Sequence, residues 1–277
     1  MTLPNFLIIG AAKAGTTSLH HYLRQHPEVF MSPREPRYFA RDGADADSPV
    51  VRTREAYEHL FDGATAKRAI GEASPQYLHH PSAPDEIAAD LPDVRLIVSL
   101  RNPVDRAYSS YLGRLIAGGE RRSANDALRP GSYDFDRSLY SAPLYRYFER
   151  FDRKRIKVIL FDDLIRDARA VVRELFEFLE IDSSAEVDVT AKHGAAAAPR
   201  SIPANVAFWK AVEAIRAIVP RSMRGTGLAG RAHSLLQRRP EPLSPDIRQR
   251  MLAAFRDDIV RTEALIERDL SGWKGES

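Results

Sequence analysis

The residues best suited to chemistry in this 277-residue chain lie between Gly10 and Ser18, in the run GAAKAGTTS. Small residues let a backbone turn tightly, and the first N–H groups of a following helix point at any anion placed there. Lys13 adds a positive charge, and the hydroxyls of Thr16, Thr17 and Ser18 can donate to phosphate-like oxygens. A triphosphate-binding loop reads G-x-x-x-x-G-K-[ST]. Gly10 and Gly15 keep that glycine spacing, but Thr16 occupies the lysine position and the lysine sits mid-loop at Lys13. This weighs against a magnesium triphosphate site while keeping an anion site.

Two further points stand out. Arg101 precedes Asn102-Pro103, a good N-cap followed by a residue suited to the first helical position, which places Arg101 at the carboxyl end of a strand and Ser109 on the helix that follows. A guanidinium can meet two phosphate oxygens at once; the bland alternative for Arg101 is a surface salt bridge with Asp105. Glu35 stands between Arg34 and Pro36, where X-Pro geometry holds the chain extended. His79 and His80 suggest a metal, yet neighbouring histidines in an extended segment point apart, and no acidic or thiolate cluster joins them. We therefore expect no metal. His20, on the first helix just after the loop, is a third histidine of interest, either near the site or, more commonly for such a position, on the helix surface.

These residues need elements to hold them. Short apolar runs predict strands at Asn5–Ile9, Glu28–Met31, Arg68–Glu72, Arg95–Leu100 and Ile156–Phe161, with helical periodicity in most of the intervals. Helices are expected over Thr16–Gln25, over Asp162–Glu180 and, after Ser244 as N-cap, over Pro245–Leu270. The expected class is α/β: a P-loop-like fold with a central, mostly parallel sheet flanked by helices, plus a helical C-terminal part. One domain over residues 1–277 is the simplest division, with a less regular loop and helical region at 182–243. Asp182–Ser201 reads as a long loop. Pro220–Pro242 reads as another, rich in arginine, which could steer an anionic acceptor, touch an anionic membrane surface or simply be solvated.

Composition narrows the class. Lys plus Arg total 41 against 38 Asp plus Glu, a net charge of +3, too mild for a dedicated nucleic-acid binder. There is no cysteine, so disulfide frameworks, thiolate metal sites and cysteine nucleophiles are excluded. The apolar run Phe6–Ile9 is far shorter than a secretory core or membrane span. The expectation is a cytoplasmic protein without a transmembrane segment.

The loop Gly10–Ser18 resembles the 5′-phosphosulfate loop of the sulfotransferase superfamily, and LIVSLRNPVDRAYSSY, Leu96–Tyr111, resembles its 3′-phosphate motif. The likeness is to carbohydrate sulfotransferases of the heparan sulfate type and their bacterial relatives. Four further stretches agree: SPREPRYF (Ser32–Phe39), GEASPQYL (Gly71–Leu78), RIKVILFDDL (Arg155–Leu164) and RDLSGW (Arg268–Trp273). The resemblance implies an enzyme that moves a sulfuryl group from 3′-phosphoadenosine-5′-phosphosulfate (PAPS) to a hydroxyl or amine of a glycan, glycolipid or secondary metabolite, leaving adenosine 3′,5′-bisphosphate (PAP), with no metal required.

By the same resemblance, Lys13 stabilises the leaving phosphate and, with Ala14, Gly15, Thr16, Thr17 and Ser18, holds the 5′ end of the donor. Arg101 and Ser109 grip the 3′-phosphate, and Lys192 and Arg200 belong to a late loop folding over the nucleotide. Glu35 is the general base, and Arg37, Glu72 and Ser74 contact the acceptor. The family pattern more often has lysine and histidine where this chain has Arg34 and Arg37, and some relatives use a histidine base, so a histidine rivals Glu35. A P-loop kinase or triphosphatase, and a nucleotide-binding protein without activity, are the competing functions.

Overall fold

The computed structural model describes residues 2–42, 50–191, 198–218 and 237–275, with side chains described outside 213–218. Five parallel strands form one sheet: β1 (Phe6–Gly10), β2 (Val29–Met31), β3 (Ala69–Ala73), β4 (Arg95–Leu100) and β5 (Ile156–Leu160). Their order is β2-β3-β1-β4-β5. Each agrees with its expected position to within a residue or two. All five residues of β1 are buried, as a central parallel strand covered on both faces requires.

The order explains where a ligand belongs. From β1 the chain passes to β2, beyond β3, and later from β3 to β4 on the opposite side of β1, which makes the carboxyl end of β1 a topological switch point. The segments after β1, β3 and β4 therefore leave the sheet side by side.

The chain divides into two compact units. The first comprises 1–102, 139–194 and 257–277 and contains the sheet. Its core joins Phe6 and Ile8 to Leu19, Tyr22 and Leu23 of helix α1 (Thr16–Leu23) and to Val171, Val172, Leu175 and Phe176 of helix Ala168–Phe178. The single helix expected over Asp162–Glu180 is two, Phe161–Arg166 and Ala168–Phe178. Asp167 breaks it: its backbone is non-helical (φ −149°, ψ 84°), and its carboxylate accepts the Ala170 N–H at 3.0 Å, capping the second helix.

The second unit, 103–138 and 195–256, is described separately. It holds helix Pro103–Ile116, which begins at the proline as expected, and helix Ile202–Ile218. Within the segment read as loop, Ala198–Pro199 pairs antiparallel with Gln237–Arg238. The final long helix runs Pro245–Ile266, stopping four residues before the expected end.

Candidate functional site

The loop between β1 and α1 is shaped by two residues with left-handed backbone, Lys13 (φ 71°) and Gly15 (φ 85°). A Cβ on Gly15 would lie 2.9 Å from side-chain carbons of both Leu164 and Phe161, so conformation and close packing each demand glycine there. Gly15 ends the loop and caps α1 without a side-chain hydrogen bond. The first intrahelical bond runs from Leu19 N–H to Gly15 C=O at 3.0 Å, so the N–H groups of Thr16 and Thr17 have no acceptor within the helix. The loop is fixed to the next strand by the Ala11 N–H, donated to the Ser99 carbonyl at 2.7 Å, and by the Ser99 hydroxyl, donated to the Ala14 carbonyl. Lys13 and Thr17 are exposed, whereas Ala14, Thr16 and Ser18 are buried.

Arg101, at the end of β4, meets this loop from the side. Its Nη1 donates to the Lys13 carbonyl at 3.2 Å, and its guanidinium lies over the Phe161 ring, 4.8 Å from the centroid. Tyr140 fixes the backbone beneath by donating its hydroxyl to the Arg101 carbonyl at 2.9 Å. Asp105, the alternative partner considered for Arg101, pairs with Arg248. No local motif marks Phe161 as a partner; it begins the helix that follows β5, which lies next to β4 in the sheet.

A cleft of about 150 Å³ opens at the start of α1. Thr16, Thr17 and His20 line one side, Pro33, Arg34 and Glu35 the other, and Ala73 its base. The cleft thus brings Thr16 and Thr17, which follow the β1–α1 loop, together with Glu35 from a later part of the chain. His20 is no bystander on the helix surface: its Nε2 lies 3.0 Å from the Ser32 carbonyl. A carbonyl only accepts, so that nitrogen carries a proton and donates it, tying α1 to the Glu35 loop.

The Glu35 loop is held at its far end as well. Arg37 adopts a left-handed backbone (φ 54°), its N–H donates to Ser74 Oγ at 3.0 Å, and its Nη2 pairs with Glu35 Oε2 at 3.0 Å. Glu35 and Arg37 are both partly open to solvent. Glu72 and Ser74, expected as acceptor contacts, are instead wholly buried. Their place in the fold accounts for this: Glu72 lies in β3, where all five residues are buried, and Ser74 Oγ accepts the Arg37 N–H while its hydroxyl acts on Glu72. They support the site from below and present no surface to an acceptor. Burial pushes the Glu72 carboxyl up to about 8, helped by the negative charge of Glu35 and opposed by the hydroxyls of Tyr77, Ser74 and Tyr57.

Other expected residues fall elsewhere. Ser109 is half-buried on helix Pro103–Ile116 of the second unit. Arg200, also in that unit, donates its Nε to the Gln237 carbonyl at 3.1 Å. Lys192 lies outside the described residues. The two adjacent histidines turn to separate partners, His79 to the Leu139 carbonyl and His80 to the Asp42 carbonyl and Ser82 hydroxyl. Two stretches distant in sequence meet behind β5: Trp273 donates its indole N–H to Asp162 at 2.9 Å, and Arg268 pairs with Asp163 at 2.7 Å. No described helix is long and apolar enough to cross a membrane.

Comparison with known proteins agrees with this layout. The profile described as "Sulfotransferase family" matches residues 4–185. The crystal structure of a sulfotransferase from Alicyclobacillus acidocaldarius superimposes with a TM-score of 0.77 at 30% identity, covering 99% of this chain and 100% of that one. A mouse sulfotransferase complexed with PAP shares the fold at a TM-score of 0.51 and 14% identity, over 95% of this chain and 88% of that one. Among curated proteins, the membrane-associated sulfotransferase kil1 of Dictyostelium discoideum is 36% identical over 112 residues, 40% of this chain and 23% of that protein. Human heparan sulfate glucosamine 3-O-sulfotransferase 6 is 37% identical over 108 residues, 39% of this chain and 30% of that protein. The chain therefore spans less than a third of the length of either curated relative.

Proposed function

The chain belongs to the sulfotransferase family, and from that premise we propose that it transfers a sulfuryl group from PAPS to a hydroxyl or amine of a glycan, glycolipid or related acceptor. One observation carries the reading: Thr16 and Thr17, at the N-terminus of α1, and Glu35 line the same cleft. Donor-anchoring and proton-accepting groups must face each other across the transferred group, and this cleft supplies both.

The residues present fit such a donor. Backbone N–H groups, a lysine and an arginine converge after adjacent strands, and among the described residues no carboxylate lines the loop side of the cleft. PAPS supplies an activated sulfate whose leaving group is a phosphate. Sulfuryl transfer should resemble phosphoryl transfer in having a loose transition state with charge gathering on the leaving oxygen. Lys13 and the N–H groups of Thr16 and Thr17 provide preorganised positive potential for that charge. Arg101, oriented by the Lys13 carbonyl and the Phe161 ring, is the group assigned to the donor's 3′-phosphate, with Ser109 as its sequence-implied companion. Glu35 accepts the proton that the acceptor loses as its bond to sulfur forms. Arg37 holds the carboxylate in place, and Arg34 on the cleft wall faces the acceptor side. The likeness to heparan sulfate enzymes supports a glycan among the candidate acceptors.

The test is an acceptor panel incubated with radiolabelled PAPS and read by mass spectrometry, run beside thermal shifts with PAP, ADP and AMP. Label transfer with a shift selective for PAP supports the reading. Equal shifts from all three nucleotides, or magnesium-dependent ATP turnover, would replace it with the triphosphatase alternative.

A further inference from the structure

We propose that Glu72 is a positioning residue for the transfer site, holding the Glu35–Arg37 turn in place through Ser74 and the tyrosines packed around it for as long as its own carboxyl is neutral. The inference rests on the reading of Glu35 as the base.

The geometry that points to it begins with burial. Glu72 is fully inaccessible, and its Oε2 is a buried oxygen with no hydrogen-bond partner. The other oxygen accepts a long bond, 3.5 Å, from the Tyr57 hydroxyl, and the hydroxyls of Tyr77 and Ser74 also act on the carboxyl. An ionised carboxylate so poorly solvated is costly, and such groups stay neutral unless paired. The ionisable groups acting on it are Tyr57, Tyr77 and Glu35, and Tyr147 feels its charge as well. Arg54 acts on the far side, through Tyr57. No cation is bonded to Glu72 among the described residues, and Arg37 is committed to Glu35.

The second observation is what this carboxyl supports. Two residues on, Ser74 Oγ accepts the Arg37 N–H. Tyr77 accepts the Phe39 N–H at 3.5 Å, and the Tyr57 ring stacks on Tyr38 with centroids 4.5 Å apart and planes within 15°. The groups around Glu72 are thus the ones that grip Arg37, Tyr38 and Phe39, directly after Glu35. Placing a charge there sets a second negative group against Glu35 and draws water into the box of tyrosines. The anchored turn then loosens, and Glu35 loses its position over the cleft.

Hydrogen exchange of the segment containing the Arg37 and Phe39 amides tests this, in wild type and Glu72→Gln, below and above pH about 8. Neither donor nor acceptor is needed, so failure here is distinct from failure of the transfer reading. After correction for intrinsic exchange, wild-type protection should fall at least about tenfold across that range while Glu72→Gln stays constant. Identical pH responses in the two proteins, or protection already lost in Glu72→Gln at neutral pH, would overturn the proposal. The infrared carbonyl band of a protonated buried carboxyl, measured on wild type at neutral pH, provides a check that needs no variant. Its presence agrees with the proposal and its absence refutes it. In turnover assays, a positioning role predicts an alkaline loss of kcat in wild type that Glu72→Gln lacks, with PAP affinity equal in both. An alkaline limb unchanged by the substitution would contradict it.

Discussion

Arg101 donates from Nη1 to the carbonyl oxygen of Lys13, so the end of β4 and the loop after β1 are tied by a hydrogen bond of 3.2 Å. Together with the Phe161 ring, this bond aims the guanidinium before any ligand arrives. Arg101→Ala should weaken PAP binding by roughly 10- to 100-fold, the worth of a charge-assisted hydrogen bond, with a smaller effect on AMP. Arg101→Lys should recover only part of the loss, since an ammonium lacks the planar fork that meets a carbonyl, a ring and a phosphate together. Calorimetric titration with both nucleotides measures this.

Lys13 acts on a different quantity. Lys13→Ala should lower kcat by roughly 10² to 10³, because its charge matters most as the leaving oxygen becomes negative. PAP affinity should fall less. Single-turnover rates beside equilibrium binding separate the two effects, and a near wild-type rate would remove Lys13 from the chemistry.

Gly15→Ala should fold poorly. The substitution must adopt φ 85° and push a methyl group against Leu164 and Phe161, each 2.9 Å away. Left-handed strain and overpacking together should cost roughly 2–4 kcal/mol, read as a lower urea midpoint. Stability within error of wild type would mean that the loop rearranges.

The buried Glu72 carboxyl has a stability signature with a definite sign. Its value rises from 4.5 to about 8 on folding, so between these limits the folded state holds a proton that the unfolded state releases. Stability therefore falls as pH rises through that window and levels off above it. Urea unfolding should show wild type losing stability relative to Glu72→Gln from pH 4.5 to about 8, by a few kcal/mol at most. A difference that does not change with pH would mean that Glu72 is charged in the folded protein.

Much of this was legible in the residues. Strands betray themselves as short apolar runs, and β1 through β5 appear where those runs fall, because parallel strands buried on both faces tolerate little else. The tight turn after β1 was legible in its glycine spacing, since Gly15 takes a left-handed backbone at φ 85°. The break at Asp167 was hidden, since apolar periodicity carries across it and only a capping carboxylate marks the new start. Glu72 was expected to contact the acceptor from the family likeness of its motif, which says nothing of burial. Only the packing of β3 and the tyrosines shows that it faces inward. The meeting of Trp273 with Asp162 is a long-range contact that no local pattern encodes.

The role of Glu35 carries the account, and the turnover of Glu35→Gln tests it most directly. The amide keeps size and its contact with Arg37 while losing basicity. Of the histidines that could replace Glu35, both ring nitrogens of His80 have partners, whereas His20 donates Nε2 to the Ser32 carbonyl and carries its lone pair on Nδ1. If Glu35 takes the acceptor's proton, kcat for Glu35→Gln falls by roughly 10² to 10⁴ with PAP affinity unchanged, and raising the pH does not restore it. Turnover within a few-fold of wild type, with an unaltered pH profile, would contradict the account and move the base to a histidine.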